Sequence, residues 1–359
     1  MTQALEPLGW TEQLTTDFEP HRTAGLVPGR VAVQHRGQYD VLAATGELRA
    51  DVAGRMLYDA ASEAELPVVG DWVALAPRPD EGAGTIHAVL PRRTRISRKT
   101  PWLATKEQVL AANVDTVLLT TSLNEDLNLR RLERYIATAW DSGADPVIVL
   151  TKADLHPDPA AAAAEVESIA YGVPVLVVSV RSGEGLDAVA GIVRPGRTLV
   201  LLGSSGVGKS TLVNTLAGQE LLATNELRND GRGRHTTTHR ELVLLPSGGL
   251  VIDTPGLREL QLWEVGEGVE EAFEDVTELF GDCKFSDCAH DREPGCAVQA
   301  ALADGRLDAE RWESYLKLQR ELEHLERRLD KRARSEARRE WAKRAAAGRE
   351  AMRLKGRRD

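Results

Sequence analysis

Cysteine is scarce in this chain. Of 359 residues only three are cysteine, and an odd count excludes a fully paired disulfide framework of the kind small secreted domains rely on. Long apolar runs are missing too. No stretch approaches the roughly 20 residues a bilayer-crossing helix requires, and the first residues lack a basic segment followed by an apolar core, so no signal peptide is expected. Aromatic residues make up 4% of the chain, which selects no functional class. The expectation from these absences is a cytoplasmic protein with no membrane partner. Nothing marks an oligomerisation surface, so a monomer is the default. The length suggests two or three domains.

What is present is more telling. Gly203-Ser204-Ser205-Gly206-Val207-Gly208-Lys209-Ser210 fits G-x-x-x-x-G-K-[ST]. An apolar run, 198–202, leads in as a buried strand, and Thr211 to Leu216 leads out as a helix. Glycines let backbone N–H groups converge on phosphate oxygens, and the helix N-terminus adds positive potential. Lys209 is expected to reach the β- and γ-phosphates, and the Ser210 hydroxyl to ligate Mg²⁺. Thr211 completes the first turn at the nucleotide.

Upstream of this loop, the apolar run 147–150 ends in Thr151-Lys152-Ala153-Asp154. A carboxylate such as Asp154 accepts hydrogen bonds from the guanine ring N–H and exocyclic amine. Adenine presents an acceptor at the ring position and leaves that carboxylate unpaired, which is a strong basis for discrimination. Lys152 is expected to lie across the base. A further apolar strand, 175–180, ends in Ser179-Val180, at the place of a Ser-Ala base loop, with Val where Ala is usual. Downstream of the P-loop, 251–256 reads as a strand followed by D-x-x-G, with Asp253 holding Mg²⁺ through water and the Gly256 N–H sensing the γ-phosphate. Between them lies Gly233-Arg234-His235-Thr236-Thr237-Thr238. One of the three threonines is expected to contact Mg²⁺ and the γ-phosphate, with Thr238 favoured by its distance to the Asp253 strand. The order is base motif, base loop, P-loop, switch threonine, D-x-x-G. Ordinary GTPases begin with the P-loop, so the chain reads as a circular permutation, which a compact domain with neighbouring termini tolerates.

Leu257 follows Gly256, where signalling GTPases carry a water-orienting glutamine. Leucine cannot do that. His235 is the candidate to orient or partly deprotonate the water, with slow basal hydrolysis expected until an activator settles the loop. Gly206 stands where potassium-dependent GTPases usually carry Asn, which argues against that mode of activation.

All three cysteines lie in C-x4-C-x-H-x5-C, formed by Cys283, Cys288, His290 and Cys296. Four soft or borderline ligands suit a closed, tetrahedral, structural zinc site.

The remaining chain divides by pattern. Residues 29–92 alternate as short strands between Gly, Asp and Pro turns, as in a β-barrel of the oligonucleotide-binding (OB) kind. His35, Arg36, Tyr39 and Arg55 are candidate RNA contacts, and Trp72 reads as core. An N-terminal extension, 1–28, precedes this barrel, and a basic connector, 93–108, follows it. The GTPase domain covers 109–265, opening with a strand at 116–121 and a helix in which Leu129, Leu132, Ile136 and Ala139 share a face, with Asn128 as N-cap. A helical zinc-binding domain follows at 266–326. From Arg327 to Asp359, fourteen Lys and Arg stand against five acids on a chain of formal net charge −10. Leu316, Gln319, Leu322, Leu325 and Leu329 suggest a helix running into this tail, and the charge segregation favours an RNA phosphate partner. The expected fold class is thus multidomain: an all-β OB-like barrel, a doubly wound α/β P-loop domain in permuted order, and an α-helical zinc-binding domain.

With these motifs together, the chain resembles the ribosome small subunit-dependent GTPase A family of bacterial circularly permuted GTPases over almost its whole length. The resemblance implies hydrolysis of GTP to GDP and phosphate, binding to the small (30S) ribosomal subunit and its 16S rRNA, and a role late in assembly of that subunit, which stimulates the hydrolysis. It maps the catalytic histidine of the family's Gly-Arg-His-Thr-Thr-Thr stretch onto His235, and the zinc ligands onto Cys283, Cys288, His290 and Cys296. Two other readings compete. A P-loop kinase acting on a small molecule is opposed by Thr-Lys-Ala-Asp. A nucleotide-gated rRNA-binding scaffold, in which hydrolysis is incidental, is not separable by sequence.

Overall fold

The computed structural model describes residues 2–100, 103–124, 126–222, 240–253 and 267–323. His235, Thr238, Gly256, Leu257 and the basic tail at 327–359 lie outside the described residues.

Five strands make the barrel: β1 Val27–Gln34, β2 Gln38–Ala43, β3 Gly46–Val52, β4 Trp72–Arg78 and β5 Ala83–Val89. They run in the order β1-β2-β3-β5-β4, and β4 closes back on β1. Only the β3–β5 pair is parallel, the arrangement of an OB barrel. Alternate residues point inward, so Val31, Val41, Leu48, Val73, Leu75 and Ile86 fill the interior. The N-terminal segment caps one end of this barrel. Its helix α1, Glu12–Thr23, starts at Thr11, whose side chain accepts the Leu14 N–H. Leu5, Leu14 and Phe18 pack with Trp10 against Trp72 and Leu90, and the two indoles meet edge to face at 4.9 Å. Trp72 is therefore core, as expected. Tyr39 is also buried, which removes it from the candidate RNA contacts. A short helix, α2 Gly54–Asp59, lies between β3 and β4.

The connector at 93–108 is not an open linker. β6, Arg95–Thr100, pairs with β7, Leu103–Ala112, as an antiparallel hairpin. Just before it, Arg92 forms a two-pronged ion pair with the fully buried Asp71, at 2.8 and 2.7 Å.

The α/β domain is a six-stranded sheet in the order β10-β9-β8-β11-β13-β12. The strands are β8 Thr116–Ser122, β9 Asp145–Thr151, β10 Val175–Val177, β11 Thr198–Leu202, β12 Arg240–Leu244 and β13 Leu250–Asp253. All pairs are parallel except β12–β13. The apolar runs of β8, β9, β11 and β13 are buried on both faces, as strands between helix layers must be. The period of two sorts them. Val117, Leu119, Ile148 and Val200 face α3 (Leu129–Asp141) and α4 (Pro159–Glu167). Leu118, Val149, Leu199 and Leu201 face α5 (Leu186–Ile192) and α6 (Lys209–Ala217). The Asn128 side chain caps α3 by accepting the Arg131 N–H at 2.9 Å.

Barrel and sheet are stitched together. β12 pairs with β1, with Gln34 opposite Arg240. Arg30, fully buried in the barrel wall, donates to the Gly70, Leu8 and Asn113 carbonyls and to Thr198 Oγ1 at the start of β11. Burial lowers its pKa to about 10, so it remains charged at neutral pH.

After the sheet come helices at Glu267–Ala272, Glu274–Thr277 and Ala297–Asp304, then a helix over 309–323. Gly268 lies so close to α3 that a Cβ there would sit 2.2 Å from the Ala137 carbonyl oxygen. Arg311 locks the crossing. It bonds Glu133 of α3 at 2.8 Å, Asp275 at 2.7 and 3.1 Å, and the Ala272 carbonyl, and lies over the Phe273 ring.

Candidate functional site

Every described motif residue of the nucleotide site sits at the C-terminal end of a parallel strand, where ligands of open α/β sheets bind. β11 delivers the loop 203–208. Gly203 has φ +148°, and a Cβ there would meet the Thr120 carbonyl oxygen at 2.0 Å, so only glycine lets the loop leave the sheet here. Ser205 and Gly206 form the exposed tip, Val207 is buried beneath it, and Gly208 precedes the first turn of α6, which carries Lys209, Ser210 and Thr211. The Lys209 ammonium arches back over the loop, donating to the Gly203 and Ser204 carbonyls at 2.7 Å each. Its charge is thereby held above the loop, where phosphate oxygens would be met by backbone N–H groups and the helix N-terminus.

β9 delivers the base motif. Thr151 Oγ1 donates to the Val207 carbonyl at 2.6 Å, with the Thr121 carbonyl 3.2 Å away. This buried hydroxyl ties base motif, P-loop and β8 together. Lys152 takes the left-handed conformation, φ +58°, turning the chain so that Ala153 is buried while Asp154 is exposed. Asp154 Oδ1 accepts from Ser179 Oγ at 2.7 Å. That hydroxyl is itself oriented, because it accepts the Ser182 N–H at 3.2 Å and so points its own hydrogen at the carboxylate. Ser179 is fully buried, and Val180 packs against the sheet core. The sequence motifs alone did not single out Thr120, whose carbonyl forces Gly203, nor the bond from Thr151 to Val207. Both arise from strand neighbours distant in sequence.

β13 ends at Asp253. The register of β11 and β13, with Val200 opposite Ile252, sets Asp253 level with Leu201, two residues before Gly203. His235, Thr238 and Gly256 lie outside the described residues.

Cys283, Cys288, His290 and Cys296 converge: their ligand atoms all lie within 4.8 Å of one another. His290 presents Nδ1, which is 3.5 Å from Cys283 Sγ and 3.7 Å from Cys296 Sγ. Its backbone is left-handed, φ +60°, and its ring stacks on Phe280 with centroids 4.2 Å apart. The Glu293 carboxylate fixes the turn by accepting the N–H groups of Ala289, Asp291 and Arg292. The start of the helix Ala297–Asp304 points N–H groups at sulfur, Ala297 to Cys283 and Gln299 to Cys296. Burial pushes the Cys288 thiol up to about 11, with the two neighbouring thiols adding to it. Burial also opposes ionisation of Cys283, but donors led by the Ala297 N–H outweigh it and hold that thiol below its ordinary value. Three sulfurs and one imidazole at this spacing fit a soft or borderline divalent cation, which keeps its thiols deprotonated.

A P-loop and a Thr-Lys-Ala-Asp motif on one parallel sheet, with the latter first in the chain, define a circularly permuted P-loop GTPase. More particularly, the chain belongs to the RsgA GTPase family. Residues 89–263 match that family's sequence profile. It is 50% identical to the small ribosomal subunit biogenesis GTPase RsgA of Opitutus terrae, across 98% of this chain and 99% of that one. The protein of the same name from Streptomyces coelicolor is 48% identical, across 98% and 96%. Among solved structures, YjeQ from Thermotoga maritima superposes with a TM-score of 0.64 at 27% identity, covering 83% of this chain and 98% of that one. YloQ, described as a circularly permuted GTPase, gives 0.60 at 25%, covering 83% and 96%. Among the described residues no helix is long and apolar enough to cross a membrane.

Proposed function

We propose that this chain is a GTP phosphohydrolase of small ribosomal subunit biogenesis, binding the 30S subunit and its 16S rRNA and hydrolysing GTP under their stimulation. The observation that carries the nucleotide reading is the Ser179–Asp154 bond at 2.7 Å beside a P-loop tied to the same motif through Thr151. It holds a carboxylate at the edge of the site with its second oxygen free to accept from guanine. GTP then lies with its base between Lys152 and the 179–180 loop and its phosphates on residues 203–211. Ser210, Thr238 and Asp253 are the residues that would hold Mg²⁺, which would neutralise phosphate charge when bound. His235 orients the attacking water, and the Gly256 N–H senses the γ-phosphate. The Cys283, Cys288, His290 and Cys296 cluster holds one structural Zn²⁺, which four protein ligands leave without an open position. The protein works in the cytoplasm as a monomer.

Sedimentation with purified small subunits tests the partner. The chain is expected to pellet with the subunit when loaded with a non-hydrolysable GTP analogue and to be lost with GDP. Equal recovery in both states, or none in either, would contradict the proposal.

A further inference from the structure

On one side of the barrel the segment Asp51–Glu65 is acidic and, among the described residues, leaves apolar side chains uncovered. Helix α2 is six residues long and buries none of them. Leu57 is 53% exposed and Tyr58 89%, whereas the large apolar side chains of the neighbouring strands are inside the barrel. A helix so short is not held by its own propensity in water. Its first turn is anchored by the bond from the Ala53 N–H to the Ile86 carbonyl, and among the described residues none buries its outer face.

Beside α2 opens a cleft of about 520 Å³, bounded by the β1–β2 turn, the end of β3, the segment after α2, β7 and the start of β12. Val52, Leu57, Leu66 and Val68 give it an apolar floor. Asp51 and Glu63 stand on its rim, and neither pairs with a cation among the described residues. From Asp51 to Glu65 there are four acids and a single base, Arg55, which is itself paired with Asp59. On the far wall His35 is bonded to Asp40, and Arg240 to Gln34 and the Val109 carbonyl.

A phosphate backbone brought here would meet the carboxylates of Asp51 and Glu63, which is the reverse of what nucleic-acid binding requires. A lysine or arginine side chain suits the cleft on both counts. Its methylenes lie along Leu57 and Leu66 while its cation reaches Asp51 or Glu63. Tyr58, apolar in body and polar at its tip, is the type of residue that anchors protein interfaces. Resting on the small-subunit reading above, we propose that this face of the barrel docks an extended, lysine- or arginine-rich protein segment of the subunit, and not its RNA.

The sign of a charge reversal decides it. Asp51→Lys combined with Glu63→Lys is measured for affinity to purified small ribosomal subunits, with a non-hydrolysable GTP analogue bound. A basic protein segment predicts that affinity falls about tenfold, while basal GTP turnover and the melting temperature stay as they were. Leu57→Ser should weaken binding in the same assay without adding charge. In parallel, a photo-crosslinking benzoylphenylalanine placed at position 58 should label a subunit protein. Tighter binding by the charge-reversed variant, or labelling of rRNA, would overturn the proposal in favour of an RNA face. Unchanged affinity without labelling would overturn it outright. Failure of the unaltered chain to bind would instead sink the small-subunit reading itself, and this inference with it.

Discussion

The proposed base recognition rests on two side chains from different strands. Asp154 is exposed at the end of β9, and Ser179, buried after β10, fixes the carboxylate with one 2.7 Å bond. Asp154→Asn replaces an acceptor by an amide donor at the position facing the guanine N–H. GTP affinity is expected to fall roughly tenfold to a hundredfold, the cost of losing hydrogen bonds to a charged group. Xanthosine triphosphate, which carries a carbonyl where guanine has its amine, should gain in the same competition assay. Ser179→Ala removes the bond that orients Asp154 and should weaken GTP about fivefold, an ordinary net hydrogen-bond contribution. Equal affinities for all variants would show that the base is read elsewhere. Both residues stand out in the sequence, because each motif follows an apolar run. The bond between them was not spelled out by the motifs, since 25 residues separate the partners.

Among the elements, the joints matter more than the units they connect. α3 carries the helix Glu267–Ala272 at a crossing close enough to exclude a side chain at Gly268. Arg311 then closes it with Glu133, both side chains 5% exposed. Removing one partner of such a pair strands the other charge. Arg311→Met should cost roughly 3–5 kcal/mol and lower the melting temperature by several degrees. Adding Glu133→Gln should return part of that loss, because the uncompensated carboxylate is gone. A double variant no better than the single one would show that the packing of Arg311 on Phe273, not the charge, is what counts. This joint and the Arg30 joint were invisible in the sequence. A lone arginine in a strand or helix reads as surface, and only the meeting of distant carbonyls and carboxylates makes it core. The hairpin Arg95–Ala112 escaped for a related reason: the basic composition of its first strand masks a pairing whose buried residues, Ile96, Leu110 and Ala111, lie in the core of the neighbouring domain.

For the whole molecule, the cysteine cluster packs into the same apolar core as α3 and the helix Glu267–Ala272, so loss of a bound metal should be felt as loss of stability. Chelation, or Cys288→Ser, is expected to lower the melting temperature while GTP binding at the P-loop persists in the fraction still folded. Elemental analysis should find one zinc per unaltered chain. An undiminished melting temperature after complete metal removal would refute a structural role. The domain order was readable from pattern alone, from alternating strands in the barrel to the permuted motif series. What was not readable was that one sheet runs through both. β12 bonds to β1, and that strand begins two residues after Thr238. The measurement that bears most directly on the account is GTP turnover by the purified chain, with and without purified small ribosomal subunits, with ATP as the control nucleotide. Slow basal turnover of GTP that rises greatly on adding the subunit, with none for ATP, is the predicted result. Turnover indifferent to the subunit, with GTP bound normally, would contradict it.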